Sequence, residues 1–357
     1  MRIVFDVTTL AHQRTGVGNY ILGTLRGLVG AAAGEHEIVA FGLTNRSGKA
    51  IIEQALEGLP VERRLPVLPA AHAWRTLWSR AGRPAAERVL GRFDVLQFWD
   101  WMYPPQRDGL RATMIHDLVP LRFPQWVTAR TRRMHRAKYA NAARTCDVVF
   151  VNCEYTKRDV VEALGIPAGR VEVAYPGVGE HFRPVGERAD LGRRYILTVA
   201  TLEPRKNLGA LLEAHALLGG DLALAVAGSS GWGPQPELER DRVIPLGYVS
   251  DHELARLYRG AAAVCYPSRF EGFGIPVIEA MASGVPCVVS AHPSLDEASG
   301  EAAIRVDPER PEAIAAGIER ALAGSDRLVT RGLRHAARFT WAGTGQTFLR
   351  GYLERAA

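Results

Sequence analysis

Two glutamates separated by seven residues, Glu271 and Glu279, are the residues of this sequence that point most directly to chemistry. The apolar residues at 262–266 predict a strand before them, and Pro276 is typical of the first turn of a helix. A helix N-terminus attracts anions because its first N–H groups are unpaired and its dipole is positive there. Carboxylates accept hydrogen bonds from the hydroxyls of sugar and ribose rings. The segment therefore predicts a site for a diphosphate-linked sugar, and the alternative is two surface glutamates that flank a turn.

A pair of cations, Arg205 and Lys206, follows a strand predicted at residues 195–199 and precedes a helix predicted from Leu208 onward. Positive groups at such a position can neutralise a departing diphosphate, whose negative charge grows in the transition state. The alternative is an exposed loop that carries a solvated charge pair. We expect both cations to act on the diphosphate.

His116 and Asp117 follow another strand, predicted at residues 112–115. Ligands of doubly wound sheets bind beyond the carboxyl ends of the strands, so a histidine at this point is placed to reach a substrate. A neutral imidazole can donate or accept a hydrogen bond, and the sequence does not say which nitrogen holds the proton. We expect His116 to contact substrate, with a structural histidine as the alternative, and Asp117 to support the structure, for example by capping the next segment.

Two glycines, Gly16 and Gly18, lie in the stretch 14–20 after the first predicted strand. They do not complete a dinucleotide-binding fingerprint, because the third glycine and the acidic residue that should follow are missing. This argues against a nicotinamide-dependent oxidoreductase, the rival enzyme class that Rossmann-like sheets alone would allow. The two glycines either contact a ligand or only turn the chain.

The sequence around the two glutamates resembles the family 4 glycosyltransferases, which have the GT-B fold. The matching stretches are Ser-Arg-Phe-Glu-Gly-Phe-Gly-Ile-Pro at 268–276 and Glu-Ala-Met-Ala-Ser-Gly-Val-Pro at 279–286, which contain the Glu-x7-Glu signature. The resemblance implies that Glu271 faces the donor sugar and that Glu279 holds the ribose of the nucleotide. It also implies that backbone groups of Phe273, Gly274 and Ile275 meet the sugar and the phosphates.

The same resemblance gives roles to residues outside that segment. In the family an Arg/Lys pair contacts the leaving diphosphate and a histidine approaches the sugar hydroxyls, which implies these roles for Arg205, Lys206 and His116. Many relatives also carry a Gly-Arg pair where this chain has Ala200 and Thr201. That basic contact is therefore missing here or is supplied by Arg205.

Weaker matches extend the donor site. Gly16 and Gly18 resemble the glycine loop that relatives place under the acceptor and the donor phosphates. The backbone of Tyr248 and Val249 would lie near the nucleobase, and Gly228 would border it. The alternative for the segment 247–254 is a helix N-cap and nothing more.

The resemblance also implies how the reaction proceeds. Family 4 enzymes retain the anomeric configuration, and no convincing protein nucleophile is evident, so we expect same-face displacement in which a donor phosphate oxygen takes the acceptor proton. The sequence contains no Asp-x-Asp triplet and no His/Cys cluster with metal-ligand spacing. We therefore expect no metal and no cofactor, and we expect Arg205, Lys206 and the helix dipole to carry the diphosphate charge. A non-catalytic sugar-nucleotide-binding protein is the remaining alternative.

Alternating strand and helix patterns along the whole chain predict an α/β fold with two tandem Rossmann-like, doubly wound domains that face a cleft. The predicted domains are residues 1–185 for the acceptor, 186–338 for the nucleotide-sugar donor, and a final segment 339–357 that crosses back onto the first domain. An irregular, Pro- and Gly-rich stretch at 175–184 suggests the first boundary. The predicted strands are residues 3–7, 37–41, 94–98, 112–115, 147–151, 195–199, 222–227, 243–246, 262–266 and 287–290. The predicted helices are residues 19–29, 130–143, 156–164, 208–218, 252–260, 276–282 and 311–323.

Composition limits the partners and the compartment. The chain has 357 residues and a formal charge of +6, which suits anionic partners such as nucleotides, and no nucleic-acid-binding motif accompanies that charge. Its four cysteines are spaced as buried structural thiols rather than as metal ligands, which fits a reducing cytoplasm. We find no signal segment and no run of 18 apolar residues, so we expect a cytoplasmic protein that does not span a membrane.

Two stretches in the first half could lie on an anionic membrane surface. Residues 72–80 mix aromatic side chains with arginines, and residues 130–138 form a basic helical pattern. The alternative is a solvated basic helix face. The expected function is a retaining transfer of a mannose- or glucose-type hexose from GDP-mannose or a UDP-hexose to a saccharide or lipid-linked acceptor in glycan or cell-envelope biosynthesis.

Overall fold

The computed structural model describes residues 1–233 and 236–356, and the chain divides there into two compact units. The first unit comprises residues 1–122, 128–177 and 340–357, and the second comprises residues 123–127 and 178–339. Each unit has its own sheet and its own buried core. No helix in these described ranges combines the length and the apolar character that a membrane crossing requires.

Within the described residues, the first unit contains a seven-stranded parallel sheet with the order β3-β2-β1-β4-β5-β6-β7. Its central strands are buried along their length, as strands covered by helices on both faces should be. The strands are Arg2–Asp6 (β1), Glu37–Phe41 (β2), Glu62–Arg64 (β3), Val95–Phe98 (β4), Leu110–Ile115 (β5), Val148–Val151 (β6) and Val171–Val173 (β7). The helices are Gly16–Ala32 (α1), Arg46–Ala55 (α2), Ala71–Ala81 (α3), Ala86–Leu90 (α4), Val119–Arg122 (α5), Ala129–Thr145 (α6) and Glu154–Leu164 (α7).

The described part of the second unit contains a six-stranded parallel sheet with the order β10-β9-β8-β11-β12-β13. The strands are Tyr195–Val199 (β8), Ala223–Ala227 (β9), Val243–Gly247 (β10), Ala263–Tyr266 (β11), Cys287–Ser290 (β12) and Ala303–Val306 (β13). The helices are Leu208–Leu217 (α8), Asp251–Gly260 (α9), Ile275–Ala282 (α10), Asp296–Ser299 (α11), Pro311–Ala323 (α12) and Ser325–Ala336 (α13), and a last helix, Trp341–Ala356 (α14), belongs to the first unit. Two doubly wound α/β units confirm the predicted fold class.

Each sheet has one place where the strand order reverses. In the first sheet the chain builds outward from β1 to β3 and then returns to add β4 on the other side of β1. In the second sheet the same reversal lies between β8 and β11. Loops leave the carboxyl ends of these paired strands in opposite directions, which opens a crevice where doubly wound folds bind ligands.

The boundary between the units differs from the predicted one. The second unit begins at Val178 rather than after residue 185, because the Val178 N–H already donates to Phe339 O in that unit. Residues 123–127 were assigned to the first domain but belong to the second unit, where the ring of Phe123 contacts Phe270 at a centroid distance of 5.1 Å. The pattern of apolar residues does not show that a short segment of the first half packs in the second unit.

The final helix packs against α1 inside the first unit. A Cβ at Gly27 would lie 1.8 Å from Trp341 O, and a Cβ at Gly345 would lie 1.9 Å from the Gly27 carbonyl carbon. Glycine therefore lets the two helix backbones touch. The predicted segment 339–357 corresponds to α14, and its last residue, Ala357, lies outside the described residues.

Candidate functional site

A buried charge cluster lies at the strand-order reversal of the second sheet and is centred on Glu271, which is 5% exposed. One oxygen, Oε2, accepts a hydrogen bond from Arg205 Nη1 at 2.6 Å. The other, Oε1, accepts from Lys206 Nζ at 2.6 Å and from the Tyr266 hydroxyl at 2.9 Å. The two cations that were expected at the diphosphate thus both contact the glutamate that was expected at the donor sugar.

Two residues that sequence reasoning missed complete this cluster. Glu203 accepts from Arg205 Nη2 at 2.7 Å, and the Tyr266 hydroxyl also lies 2.7 Å from Lys206 Nζ. The two glutamates balance the two cations, so the cluster is neutral as a whole. Glu203 stands two residues before Arg205 and Tyr266 ends its strand, but only the fold shows that Glu203 pairs with Arg205 and that Tyr266 contacts Glu271.

The local backbone explains why these side chains meet. Arg205 and Lys206 lie in the 3-10 turn Pro204–Lys206 after β8, while Glu271 lies in the loop after β11, the strand that pairs with β8. The two loops are tied together, because Arg269 N–H donates to Arg205 O at 2.8 Å and Asn207 Nδ2 donates to Pro267 O at 3.2 Å. The predicted position of the cations immediately before a helix is confirmed, since α8 begins at Leu208.

Electrostatics hold the cluster in its charged form. Burial raises the pKa of Glu271, but Arg205 and Lys206 oppose that effect and hold its pKa at about 2. Burial and the neighbouring Arg205 lower the pKa of Lys206, whereas Glu271 raises it. A carboxylate fixed by two cations keeps its oxygens in place and is a preorganised acceptor for hydroxyl groups.

The N-terminus of α10 has the geometry that the glycine pattern indicated. Gly274 has φ 108° and caps the helix, and a Cβ there would lie 2.6 Å from Leu295 Cδ2, so only glycine fits. Ile275 and Pro276 open the helix. The Phe273 side chain is buried against Phe339, so its backbone is the part that can face a ligand, as the resemblance implies.

Glu279 differs from Glu271 although both are buried. Its hydrogen-bond partner among the described side chains is the Tyr258 hydroxyl at 3.3 Å, and no described cation pairs with it. Burial, and then the charge of Asp251, raise the pKa of Glu279 to about 8. This shift favours the protonated carboxyl, which can donate a hydrogen bond as well as accept one.

The residues expected near the nucleobase fall into two groups. Tyr248 is 46% exposed, and Val249 lies beside it in the loop between β10 and α9. Gly228 has a structural reason to be glycine, because its φ is 148° and a Cβ would lie 1.8 Å from Ala200 O. The helix-cap alternative for this segment is also correct, since Ser250 forms a capping box with Glu253 at the start of α9.

His116 lies at the carboxyl end of β5 in the first unit, and its hydrogen bonds fix its protonation. Asn152 Nδ2 donates to His116 O at 3.0 Å, which turns the amide oxygen Oδ1 toward His116 Nδ1 at 3.2 Å. That oxygen can only accept, so Nδ1 carries the proton and Nε2 is a free acceptor. Burial, with the nearby charge of Lys138, lowers the pKa of His116 to about 3, so the ring is neutral.

The first-unit glycines were predicted in a loop, and that part of the prediction is wrong. Helix α1 begins at Gly16, so Gly16 and Gly18 both lie in its first turn, where backbone N–H groups have no helical partner. A Cβ at Gly16 would meet nothing within 4 Å, so packing does not require glycine there. Asp117 has the predicted structural role, because its Oδ1 accepts from Val119 N at 3.0 Å as α5 begins.

The two basic stretches of the first unit differ from each other. In α3, Trp74 and Leu77 are 50% and 56% exposed, which leaves an apolar face open. In α6 the arginines are exposed, but Lys138 is buried and donates to Trp99 O at 2.6 Å, so the prediction of a fully solvated or membrane-facing basic helix is wrong at Lys138. The helical spacing of basic residues in α6 did not distinguish the buried Lys138 from the exposed arginines near it.

The remaining predictions concern thiols and metals. All four cysteines lie in the described ranges, are buried and form no disulfide there, which confirms their interpretation as buried thiols. Within the ranges 1–233 and 236–356, no group of three or more His, Cys, Asp or Glu side chains could hold a metal ion.

Comparisons with known proteins cover nearly the whole chain. A family model described as Glycosyltransferase Family 4 matches residues 14–181, and one described as Glycosyl transferases group 1 matches residues 183–337. The O-antigen chain mannosyltransferase B of Escherichia coli is 28% identical over 96% of both chains. Among solved structures, a sucrose-phosphate synthase from Thermosynechococcus elongatus aligns over 99% of this chain and 98% of its own, with a TM-score of 0.72 and 19% identity. HepE from Anabaena, in complex with UDP and glucose, aligns over 98% of both chains with a TM-score of 0.66 and 16% identity.

Proposed function

Since this chain belongs to the family 4 glycosyltransferases and has their GT-B fold, we propose that it is a retaining hexosyltransferase that uses a nucleotide-diphosphate sugar. Membership of the family makes it an enzyme of the glycosyltransferase type, which removes the oxidoreductase and the non-catalytic binding protein as alternatives.

The proposed donor sugar is mannose, carried by GDP, with a UDP-hexose as the second candidate. The relative that matches over 96% of both chains is named as an O-antigen chain mannosyltransferase, which favours mannose and a saccharide or lipid-linked acceptor of glycan or cell-envelope biosynthesis. The HepE complex contains UDP and glucose, so UDP-glucose is the second candidate donor. We propose that Glu279 receives the ribose and that Tyr248, Val249 and Gly228 border the base.

The observation that carries the proposal is the pairing of Arg205 and Lys206 with Glu271 at the strand-order reversal of the second sheet. When the sugar leaves, negative charge grows on the diphosphate, and two fixed cations beside the α10 N-terminus can stabilise it without reorganising. The proposal assigns Glu271 to the sugar hydroxyls and the backbone at 273–275 to the phosphates. It requires no metal and no cofactor.

The proposed reaction is a same-face displacement. The bond from the anomeric carbon to the diphosphate oxygen breaks, and the acceptor hydroxyl forms the new bond on the same face. A phosphate oxygen of the departing nucleotide diphosphate takes the acceptor proton. Neutral His116, with Nε2 as an acceptor, would orient a hydroxyl of the donor sugar during this step.

A panel of nucleotide sugars tests the donor and the class together. Thermal unfolding with GDP-mannose, UDP-glucose and UDP-galactose should show its largest shift with the true donor, because a ligand that binds only the folded state stabilises it. The product formed on a mannose-containing acceptor should be analysed by NMR. An axial linkage from GDP-α-mannose supports retention, whereas an inverted anomer or the absence of transfer with every donor contradicts the proposal.

We further place the enzyme in the cytoplasm, with peripheral contact to an anionic membrane. The support is the exposed pair Trp74 and Leu77 on α3 and the exposed arginines of α6, which would suit an interfacial helix and anionic headgroups. Sedimentation with vesicles should depend on anionic lipid and weaken in Trp74→Ser, but not in Val185→Ser, which removes a still more exposed apolar residue of the second unit. Equal sedimentation with neutral vesicles would contradict this placement.

A further inference from the structure

The backbone of Glu271 is held by a residue that belongs to neither the charge cluster nor the family motif. Its N–H donates to Ser294 Oγ at 3.0 Å, and Ser294 is 2% exposed. Ser294 lies in the 3-10 turn Pro293–Leu295, which follows β12, the strand that pairs with β11. Arg205 and Lys206 fix the carboxylate of Glu271, whereas Ser294 fixes the backbone from which its side chain starts.

His292 determines how the Ser294 hydroxyl is oriented. Its Nδ1 accepts a hydrogen bond from Ser294 N at 3.1 Å, so that nitrogen carries no proton. Ser294 Oγ lies 2.9 Å from the same nitrogen and therefore donates its proton to it. The oxygen then accepts from the Glu271 N–H, and the three hydrogen bonds support one another. This arrangement needs a neutral His292 with its proton on Nε2, because a proton on Nδ1 would face the Ser294 N–H.

The surroundings of His292 favour the neutral ring. The charged groups that act on it are Asp296 of α11 and Arg305 of β13, which pair with each other, and Arg305 Nη2 also donates to His292 O at 3.1 Å. Burial lowers the pKa of His292 from its ordinary value of 6.5, while Asp296 opposes this effect and Arg305 adds to it. The lowered pKa agrees with the hydrogen bonds, which require the ring to be neutral.

A series of aromatic rings braces the same loop from another side. Phe270, one residue before the glutamate, is buried and contacts the His292 ring at a centroid distance of 5.4 Å. The Phe123 ring lies 5.1 Å from Phe270, and the Trp126 ring stacks on Phe123 at 4.3 Å. The rings of Phe123, Trp126 and Phe270, here named the aromatic clasp, therefore pack in series against His292.

The aromatic clasp also reaches the loop expected at the nucleobase. Trp232 Nε1 donates to Trp126 O at 2.6 Å, and Trp232 lies in the stretch that begins with Gly228 after β9. The segment 123–127 thus contacts both loops that the donor is expected to meet. It belongs to the second unit, although residues 122 and 128 on either side belong to the first. Packing within the first unit does not explain this excursion of the chain, whereas support of the donor loops does.

We infer that His292 and Phe123 are positioning residues for the transfer reaction. His292 holds Glu271 through Ser294, and it does so only as a neutral ring. Phe123 holds the same loop through Phe270. The inference rests on the proposed function, because it takes Glu271 to act on the hydroxyls of the donor sugar. It adds a pH dependence and two residues that touch no substrate.

Two substitutions of His292 separate a positioning role from simple packing, with turnover measured on the donor that the nucleotide-sugar panel identifies. His292→Leu removes the acceptor for Ser294 and should lower kcat at neutral pH about tenfold, because a small displacement of a group that contacts the reacting sugar is costly. His292→Asn supplies an amide oxygen that can accept from Ser294 N, so its kcat should stay within about threefold of the wild type. The wild-type kcat should fall at a pH below 6.5 as the ring becomes protonated, whereas that of His292→Asn should not.

Three other groups of the proposed mechanism titrate outside this range. The pKa of Glu271 is held at about 2 and that of His116 at about 3, while Glu279, with a pKa of about 8, favours its protonated form throughout. A loss of turnover below pH 6.5 that disappears in His292→Asn therefore reports on His292. The control is His36→Asn, which replaces a half-buried histidine of the first unit and should keep the wild-type pH profile.

Phe123 has a matched pair of variants. Phe123→Leu removes the ring that packs on Phe270 and should lower kcat about fivefold, whereas Phe123→Tyr keeps the ring and should restore most of the activity. The Kd for GDP or UDP should stay within about twofold in every variant, because the nucleotide alone lacks the sugar that Glu271 meets.

Two outcomes support the inference: an acid loss of turnover that is absent in His292→Asn, and a lower kcat with unchanged nucleotide affinity in both leucine variants. Wild-type turnover in either leucine variant, the same acid loss in His292→Asn, or a nucleotide Kd raised by the factor by which kcat falls would overturn it. Thermal unfolding identifies a leucine variant that fails to fold, and the pH profile of His292→Asn then decides. A wild-type protein that neither binds nor hydrolyses any nucleotide sugar would instead overturn the proposed function.

Discussion

Both sheets reverse their strand order once, between β1 and β4 in the first and between β8 and β11 in the second, and polar residues gather at both places. At the second reversal the charges satisfy one another, because Glu271 and Glu203 pair with Arg205 and Lys206. At the first, the indole nitrogens of Trp99 and Trp101 and the Nε2 of His116 have no hydrogen-bond partner among the described residues. The second reversal is therefore preorganised by paired charges, whereas the first keeps buried polar atoms without partners in the described part of the chain.

Removing one cation from the charge cluster at the second reversal should have the largest effect of the tests proposed for this comparison. Lys206→Ala should lower kcat by about 100- to 1000-fold, the usual cost of losing one group that stabilises developing charge. Glu271 keeps Arg205 and Tyr266 as partners, so the variant should remain folded. Turnover and thermal unfolding should be measured on the same preparation. Lys49→Ala removes a lysine of α2 whose side chain is 41% exposed, and this variant should behave as wild type. Normal turnover in Lys206→Ala would contradict the assignment of Lys206 to the leaving diphosphate.

The contrast between the two glutamates gives a second test. The pKa of Glu279 is raised to about 8 from an ordinary value of 4.5, so between these values the folded protein holds a proton that the unfolded chain has lost. Stability should therefore fall as pH rises through this window, by up to about 1.4 kcal/mol per pH unit. Glu279→Gln removes this dependence, so the free energy of unfolding of the variant should increase relative to that of the wild type as pH rises.

Urea unfolding at several pH values measures this dependence, with the exposed Glu319→Gln as the control variant. Glu271 has the opposite sign, because its pKa is lowered to about 2, and its contribution is present above 4.5 and lost only as pH falls toward 2. The same pH slope in wild type and Glu279→Gln would show that Glu279 is ionised in the folded protein.

A smaller effect sharpens the account of the first reversal. Asn152 holds His116 in the tautomer with a free Nε2, so Asn152→Leu should lower kcat/KM for the donor about tenfold by releasing the ring. Asn152→Asp should raise the pKa of His116, because a carboxylate beside Nδ1 favours the protonated ring. NMR titration of the imidazole distinguishes this positioning role from a merely structural one. An unchanged His116 pKa in Asn152→Asp would contradict it.

The central strands and three residues of the donor site could be predicted because local sequence patterns identify them. Apolar runs with turn residues between them placed the central strands, and one loop–helix segment identified Glu271, Gly274 and Glu279 together. Short edge strands such as β3, with the sequence Glu-Arg-Arg, were not predicted, because a strand of three polar residues has no apolar pattern to detect.

Other residues could not be predicted from the sequence, because their positions depend on contacts between elements that are distant along the chain. Glu203 and Tyr266 join the cluster only because β8 and β11 are neighbours, and Lys138 is buried only because α6 brings it to the end of β4. The helical start at Gly16 was missed because glycines at a helix N-terminus look like a loop in sequence. Partnerless atoms such as Trp99 Nε1 can be recognised only in three dimensions.

The most direct test of the central claim is calorimetric titration of GDP and UDP in the presence of a metal chelator. The account predicts that one of the two nucleotides binds the wild-type protein without metal, and that Lys206→Ala weakens this binding at least about tenfold, or about 1.4 kcal/mol. Binding that appears only with a divalent cation, or that is equally tight in Lys206→Ala, would contradict the claim that Arg205 and Lys206 hold the diphosphate.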